Sequence, residues 1–121
     1  MPQLKFFFDN DVPDGAAVPC QGAGHVVIFM RDILPTDAPD LLVARTSESQ
    51  GAILVCFDKH HKKIVPQLRT LALLKMDCTQ PLAASRLADA MSLIEDEYAL
   101  AEANGSRMHV SIGKGVLRTH R

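Results

Sequence analysis

The sequence predicts a three-layer α/β domain in which helices cover both faces of a mostly parallel, twisted sheet. Short apolar segments alternate with segments of helical periodicity, which is the pattern of parallel strands joined by crossover helices. Two of the apolar segments, 4–8 and 52–57, run directly into an aspartate. A length of 121 residues is typical of one domain, so a single domain over 1–121 with right-handed crossovers is expected.

The first strand, helix and second strand are predicted at 4–8, 12–21 and 25–29. The run 4–8 is mostly apolar and stops at Asp9, as in strands that are covered on both faces. Within 12–21 the apolar residues recur at helical spacing, and glycines then supply a turn before the second apolar run.

The second helix and third strand follow an irregular, proline-containing connection. The helix extends to Gln50 and is either capped by Asp37 or begins with Pro39 at its first position. A glycine ends it, and 52–57 then forms an apolar strand that stops at Asp58.

The C-terminal half contains a fourth strand, a long helix and a hairpin. A basic connection with one helical turn, 59–66, precedes the strand at 69–76. The strongest helical pattern of the chain occupies 79–104, with apolar residues on one face and acidic residues on the other. Segments 108–112 and 116–119 flank a Gly-Lys-Gly turn and predict a terminal hairpin.

Composition limits the range of functions. A net charge of -1 and a pI near 6.5 provide no global positive field for nucleic acid, so any contact with RNA or DNA needs a local basic patch. Three cysteines without a Cys-x-x-Cys pair fit neither a disulfide framework nor a zinc knuckle. No apolar stretch has the length of a membrane span, and no secretory leader is recognisable, so a cytoplasmic location is expected.

Four aspartates are candidates for chemistry at one edge of the predicted sheet. Asp9 and Asp58 end strands, Asp11 follows closely, and Asp40 begins a helix. Carboxyl ends of parallel strands share one edge, where ligands bind near the point at which strand order reverses. Carboxylates brought together there repel unless a cation such as Mg²⁺ or Mn²⁺ lies between them. Any one of these aspartates is better explained as a turn or cap residue, whereas their combination favours a functional site.

Four segments, in this order and spacing, resemble the short PIN-like domains, which are relatives of PIN-domain ribonucleases and toxin nucleases. The likeness continues through the fourth strand, long helix and hairpin, so it covers nearly the whole chain. The segments are FFDNDVP at 7–13, AGHVV at 23–27, TDAPD at 36–40 and ILVCFDK at 53–59.

The resemblance implies a PIN-like fold and a Mg²⁺- or Mn²⁺-dependent nuclease that hydrolyses the phosphodiester backbone of RNA in preference to DNA. Asp9, Asp40 and Asp58 match the family's metal-binding acids. The pattern differs at two positions, where Asn10 and His60 stand in place of acids that are common in such chains. Further candidate ligands are therefore Asn10, the displaced acid Asp11, and His60, which suits manganese better than magnesium.

A dense basic cluster follows Asp58 directly. Lys59, Lys62 and Lys63 lie close to the predicted site in sequence and are candidates for binding nucleic-acid phosphates. A solvated basic loop explains the same residues equally well.

Two other functions remain open at the level of sequence. A PIN-like module that binds RNA or protein without turnover fits the near-neutral charge and the altered acids. The run 6–12 also matches the nucleophile motif of haloacid dehalogenase-like phosphatases, in which Asp9 would attack phosphorus and Asp11 would protonate the leaving group. The resemblance further implies an antitoxin-like partner, and the long helix at 79–104 could pair with a second subunit in a homodimer.

Overall fold

The computed structural model describes residues 3–57, 72–106, 108–113 and 117–119, with side chains up to 113. Six strands form one sheet in the order β2-β1-β3-β4-β5-β6; the first five are parallel and β6 is antiparallel to β5. The strands are β1 (Lys5–Phe8), β2 (Val26–Phe29), β3 (Ile53–Phe57), β4 (Ala72–Met76), β5 (His109–Ile112) and β6 (Leu117–Thr119). The α-helices are α1 (Ala17–Gly22), α2 (Asp40–Ser49) and α3 (Ala83–Asn104), and 3₁₀ turns occupy Asp14–Ala16, Met30–Asp32 and Gln80–Leu82.

The three phenylalanines of β1 place side chains on both faces of the sheet. Because side chains alternate along a strand, Phe6 and Phe8 enter one core and Phe7 enters the other. All three rings are buried, since β1 pairs with β2 on one side and β3 on the other while helices cover both faces. The α/β class with a five-stranded parallel sheet and helices on both faces is therefore confirmed.

The two cores are unequal in size. The larger core lies between the sheet and the pair α1 and α3, which also contact each other, and it includes Leu87 and Ile94 of α3. The smaller core lies under α2, whose Val43 and Ala44 pack on Phe7 and the facing side chains of β3. The apolar face predicted for the long helix is confirmed, because it is this face that α3 buries.

The connections across the sheet do not all have the same hand. α2 joins β2 to β3 and α3 joins β4 to β5, so both connections move the chain in one direction, yet they cross opposite faces. Two such connections must have opposite hands. The connection from β1 through α1 to β2 moves the chain in the opposite direction across the sheet, on the face that α3 also covers. It therefore has the same hand as the connection through α2. About 98% of strand–helix–strand connections between parallel strands are right-handed, so we assign the right hand to the connections through α1 and α2 and the left hand to the connection from β4 through α3 to β5. This differs from the expectation that all crossovers are right-handed.

Both longer helices end in the same backbone motif. Gly51 and Gly105 adopt left-handed φ values of 64° and 66°, which a residue with a Cβ rarely adopts. The next residues, Ala52 and Ser106, donate their N–H groups back to carbonyls five positions earlier, as in a Schellman motif. The predicted glycine stops after both helices are thus correct.

Several boundaries differ from the sequence-based expectation. The helix predicted at 12–21 is divided into a 3₁₀ turn and the short α1, because Pro13 and Gly15 interrupt its start. β2 is an edge strand whose first residue is exposed and whose others are half-buried. α2 begins at Asp40, so Pro39 precedes its first position. The connection 58–71 and the hairpin tip 114–116 lie outside the described residues.

All three cysteines are free thiols, and Cys20 is the most informative of them. Its Sγ lies in the larger core, 3.8 Å from the carbonyl oxygen of Ala16, to which the thiol donates. Burial raises the pKa of Cys20 from 9.0 to about 12, because the thiolate would be desolvated there.

Alkaline pH is therefore expected to destabilise the protein through Cys20. Above pH 9 the unfolded chain loses the thiol proton while the folded chain keeps it until about pH 12, so stability falls as pH rises through this window. The contribution is about 1.4 kcal/mol per pH unit. Urea denaturation of the wild type and of Cys20→Ala at several pH values above 9 should show that the free energy of unfolding falls less steeply with pH in the variant. Equal slopes for the two proteins would contradict the raised pKa of Cys20.

Candidate active site at the carboxyl edge of the sheet

One edge of the sheet collects the residues that follow the parallel strands. β1 and β3 lie side by side there, and the order of strands reverses at this pair, since β2 lies beyond β1 and β4 lies beyond β3. Helices that follow parallel strands begin at the same edge, which brings the first residue of α2 and the first turn of the α3 segment to it. This edge is the expected location of a ligand in an open α/β sheet.

Asp9 is the first residue beyond β1. Its backbone N–H donates to the carbonyl oxygen of Val55 at 3.0 Å, which continues the pairing with β3 by one residue. The carboxylate is half-buried, and its Oδ1 accepts the N–H of Asn10 at 2.7 Å. The carbonyl oxygen of Asp9 accepts the N–H of Val12 at 3.0 Å, so a tight turn fixes the direction in which the chain leaves the strand. Asn10 is exposed in this turn.

Asp11 connects this turn to two other elements. Its Oδ2 accepts the backbone N–H of Phe57, the last residue of β3, in a long hydrogen bond of 3.4 Å. Its carbonyl oxygen accepts Nε2 of Gln80 at 2.8 Å, which joins the turn to the segment leading into α3. Asp11 is half-buried, and its Oδ1 is shielded from solvent. These contacts favour a role for Asp11 in positioning the turn that contains Asp9.

Asp40 begins α2 with its side chain exposed to solvent. A carboxylate at this position interacts favourably with the positive end of the helix dipole, so its presence has a structural explanation as well as a functional one. The edge thus brings together the ends of the elements that contain Asp9, Asp11 and Asp40. Within the described ranges, however, no three His, Cys, Asp or Glu side chains are grouped closely enough to hold one metal ion.

The remaining predicted site residues lie outside the described part of the chain. These are Asp58, Lys59, His60, Lys62 and Lys63. Their assignments as metal ligands or phosphate contacts therefore remain predictions, and the assignments of Asn10 and Asp11 as additional ligands do so too.

A basic residue in the turn after β2 pairs with an aspartate that is not among the predicted site residues. Arg31, in the turn after β2, forms a bidentate pair with Asp14, with Nη1–Oδ1 and Nη2–Oδ2 distances of 2.6 and 3.1 Å. Its guanidinium also lies 4.4 Å from the centroid of the Phe29 ring. The hydrogen bond to Asp14 raises the pKa of Arg31, so its charge is constant over the physiological range.

Cys78 and Arg86 flank the start of α3 at the same edge. Burial raises the pKa of the Cys78 thiol, and the nearby charge of Arg86 offsets part of that increase. Arg86 donates from Nε to the carbonyl oxygen of Gly113 at 3.1 Å and therefore connects α3 to the end of β5. A thiol of raised pKa is less nucleophilic at neutral pH, so the pKa of Cys78 does not mark it as an activated thiol.

A buried histidine just before β2 forms a pair that no local sequence pattern indicates. His25 is 6% exposed, and its Nδ1 accepts the backbone N–H of Leu4 at 3.0 Å. Its Nε2 lies 2.7 Å from Oε2 of Glu95 on α3. Because Nδ1 is an acceptor, the proton is on Nε2, which donates to Glu95. The pair is structural and lies apart from the carboxylate edge.

Comparisons of the chain with protein-family models, with curated proteins and with solved structures give no match. No helix within the described ranges combines the length and the apolar character that a membrane span requires.

Proposed function

We propose that the protein is a Mg²⁺- or Mn²⁺-dependent nuclease of PIN-like type that hydrolyses the phosphodiester backbone, of RNA in preference to DNA. In this proposal Asp9, Asp40 and Asp58 are the metal-binding acids, and Lys59, Lys62 and Lys63 contact the phosphates of the substrate. A cytoplasmic location and an antitoxin-like protein partner belong to the same proposal.

The observation that supports the proposal is the pairing of β1 with β3 at the reversal of strand order. Asp9 extends this pairing by its hydrogen bond to Val55, and Asp58 follows Phe57, the last residue of β3, in the sequence. Acids that follow two adjacent parallel strands emerge at one edge, and α2 starts at that edge with Asp40.

The donor set fits a hard divalent cation. Carboxylate oxygens are the ligands that Mg²⁺ and Mn²⁺ prefer, and the half-buried setting of Asp9 strengthens its interaction with a cation relative to open solvent. Such a cation would supply charge neutralisation and a lowered pKa for a bound water. The chain's own part is to hold the Asp9 carboxylate in one orientation through the N–H of Asn10, and to hold its turn against β3 through Asp11.

The same geometry counts against a haloacid dehalogenase-like phosphatase. That chemistry needs Asp11 as a proton donor to the leaving group. Here Oδ2 of Asp11 accepts the N–H of Phe57 and Oδ1 is shielded from solvent, an arrangement that is unfavourable for that role.

Calorimetric titration of Mn²⁺ into the full-length protein tests the proposed site. The wild type is expected to bind one ion or more, and both Asp9→Asn and Asp58→Asn should weaken binding by at least about tenfold. Asp96→Asn, which removes an exposed carboxylate on α3, is the control and should bind as the wild type does. A wild type that binds neither Mn²⁺ nor Mg²⁺ would rule out the enzyme and leave a PIN-like binding module as the alternative.

A further inference from the structure

β2 forms one lateral edge of the sheet. It pairs with β1, and no strand of the described ranges lies on its other side. In a parallel pair, the N–H and carbonyl groups of alternate residues point to the same side of the strand. The N–H of Val26 donates to the carbonyl oxygen of Leu4, the residue before β1, so the backbone groups of Val26 and Ile28 point toward β1. Those of Val27 and Phe29 therefore point away from it.

Four backbone groups along this outer side have no hydrogen-bond partner among the residues that the structure describes. They are the carbonyl group of His25, the N–H and the carbonyl group of Val27, and the N–H of Phe29. The N–H of His25 already donates to the carbonyl oxygen of Cys20, and the carbonyl group of Phe29 adjoins the 3₁₀ turn that begins at Met30. β2 thus presents an alternating row of two acceptors and two donors.

This row is complementary to a second copy of itself in an antiparallel arrangement. When two copies of β2 face each other about a two-fold axis at Val27, the N–H of each Val27 meets the carbonyl group of the other. The N–H of each Phe29 then meets the carbonyl group of His25 in the other copy. All four groups of each copy are satisfied in this register, and the N–H of His25, which Cys20 already accepts, is not needed.

The side chains of β2 suit the same register. Val27 and Phe29 pack against the larger core and Ile28 against the smaller one, so Val26 lies on the side of the smaller core by alternation. There Val26, which is 37% exposed, would lie opposite Ile28 of the other copy in a non-hydrogen-bonded pair, where side chains approach closely. The pairing buries this exposed side chain in both copies, and no like charges meet, because Val26–Phe29 contains no charged residue.

β2 also lacks the features that keep edge strands from pairing with other strands. Edge strands are commonly protected by a charged residue, a proline, a bulge or a very short length. β2 has four apolar residues in unbroken register with β1. At the opposite edge of the sheet, β6 has three residues with Arg118 in the middle. The contrast indicates that β2 is the edge that accepts another strand.

We propose that the protein forms a homodimer through β2, in which two copies pair antiparallel about Val27 and their sheets join into one sheet of twelve strands. A second copy is favoured over another protein because the row of donors and acceptors is complementary to itself. Each chain also carries a formal net charge of only -1, so two copies repel each other little. This surface is distinct from the carboxyl edge and from α3, so its test does not depend on nuclease activity.

Sedimentation velocity over a series of protein concentrations tests the proposal. Because the pairing of one short strand is a small contact, we expect the wild type to dimerise with a Kd of roughly 10–100 μM. Val27→Pro removes an outward N–H and no hydrogen bond to β1, so it should remain folded in a thermal melt and be monomeric. Val27→Thr keeps the N–H and the branched shape and should dimerise as the wild type does. A wild type that stays monomeric, or a Val27→Pro protein that dimerises equally well, would overturn the proposal.

Disulfide cross-linking tests the register without changing the backbone. Facing residues of a hydrogen-bonded antiparallel pair have Cα atoms about 5.5 Å apart, which is within the range of a disulfide. Val27→Cys, in a Cys78→Ser background that removes the half-exposed native thiol, should therefore form a covalent dimer under mild oxidation. Leu100→Cys in the same background places an exposed thiol on α3 and should not. Cross-linking at position 100 in preference to position 27 would place the interface on α3, and absence of cross-linking at position 27 would overturn the dimer through β2.

Discussion

In the nuclease proposed above, replacing Asp9 with asparagine is expected to lower manganese-dependent cleavage of RNA by roughly 10²- to 10³-fold, the usual effect of removing one strong electrostatic group from an active site. The substitution is nearly isosteric, and the amide oxygen can still accept the N–H of Asn10, so the turn after β1 should persist. A loss of cleavage with an unchanged melting temperature would therefore reflect the missing charge rather than a misfolded site.

The neighbouring acid provides the matched control. Asp11→Asn retains an acceptor for the N–H of Phe57 and leaves the backbone contact with Gln80 intact, so it should reduce cleavage by less than about tenfold. Initial rates on a fluorescent single-stranded RNA, with Mn²⁺ and with a chelator, separate the two variants. If Asp11→Asn is the more damaging change, the roles of the two acids are reversed. Cleavage that survives Asp9→Asn undiminished would mark the activity as a contaminant.

Replacing His25 with alanine is expected to cost about 3 kcal/mol of unfolding free energy, among the largest effects of a single polar residue in this fold. The change leaves the buried N–H of Leu4 without its acceptor and the Glu95 carboxylate without its donor. It also removes a ring that packs 5.7 Å from the ring of Phe6. Urea denaturation near neutral pH measures the loss directly.

Variants of Glu95 test whether the stability lost in His25→Ala comes mainly from the hydrogen bond to Glu95 or from the packing of the His25 ring. Glu95→Gln keeps an acceptor for Nε2 of His25 and should cost less than about 1 kcal/mol, while Glu95→Ala should cost more. Asp96→Asn, one residue further on the solvent side of α3, should stay within about 0.5 kcal/mol of the wild type. A His25→Ala protein as stable as the wild type would show that the pair contributes nothing net.

Much of the fold follows from local sequence patterns. The run Phe6 to Phe8 predicts a central strand because three adjacent large apolar side chains can all be buried only when both faces are covered. The ends of α2 and α3 could be predicted because glycine adopts the left-handed conformation with little cost, and a single residue type encodes it. These features depend only on residues that are close to one another in the sequence.

Other features could not be predicted because they depend on residues that are distant in sequence. His25 and Glu95 are 70 positions apart, and nothing local to either indicates a partner. The hand of the connection through α3 also depends on the whole fold. Because α1 has only six residues, the face of the sheet that it covers needs the longer α3 to bury the rest of its side chains. At the candidate site, Asp9 could be placed from its strand, while the contacts of Asp11 with Phe57 and Gln80 required the tertiary structure.

The sharing of one core by α1 and α3 has a consequence for the order in which the protein can fold during synthesis. β1 is synthesised before α3, yet the face formed by Phe6 and Phe8 is completed by Leu87 and Ile94 of α3, roughly eighty residues later in the chain. The nascent chain must therefore keep this aromatic surface partly uncovered until α3 has been made, whereas the face of Phe7 needs only the segment from β1 to β3 for most of its cover. One side of β1 can thus be enclosed early in synthesis, and the other side only after α3 has left the ribosome.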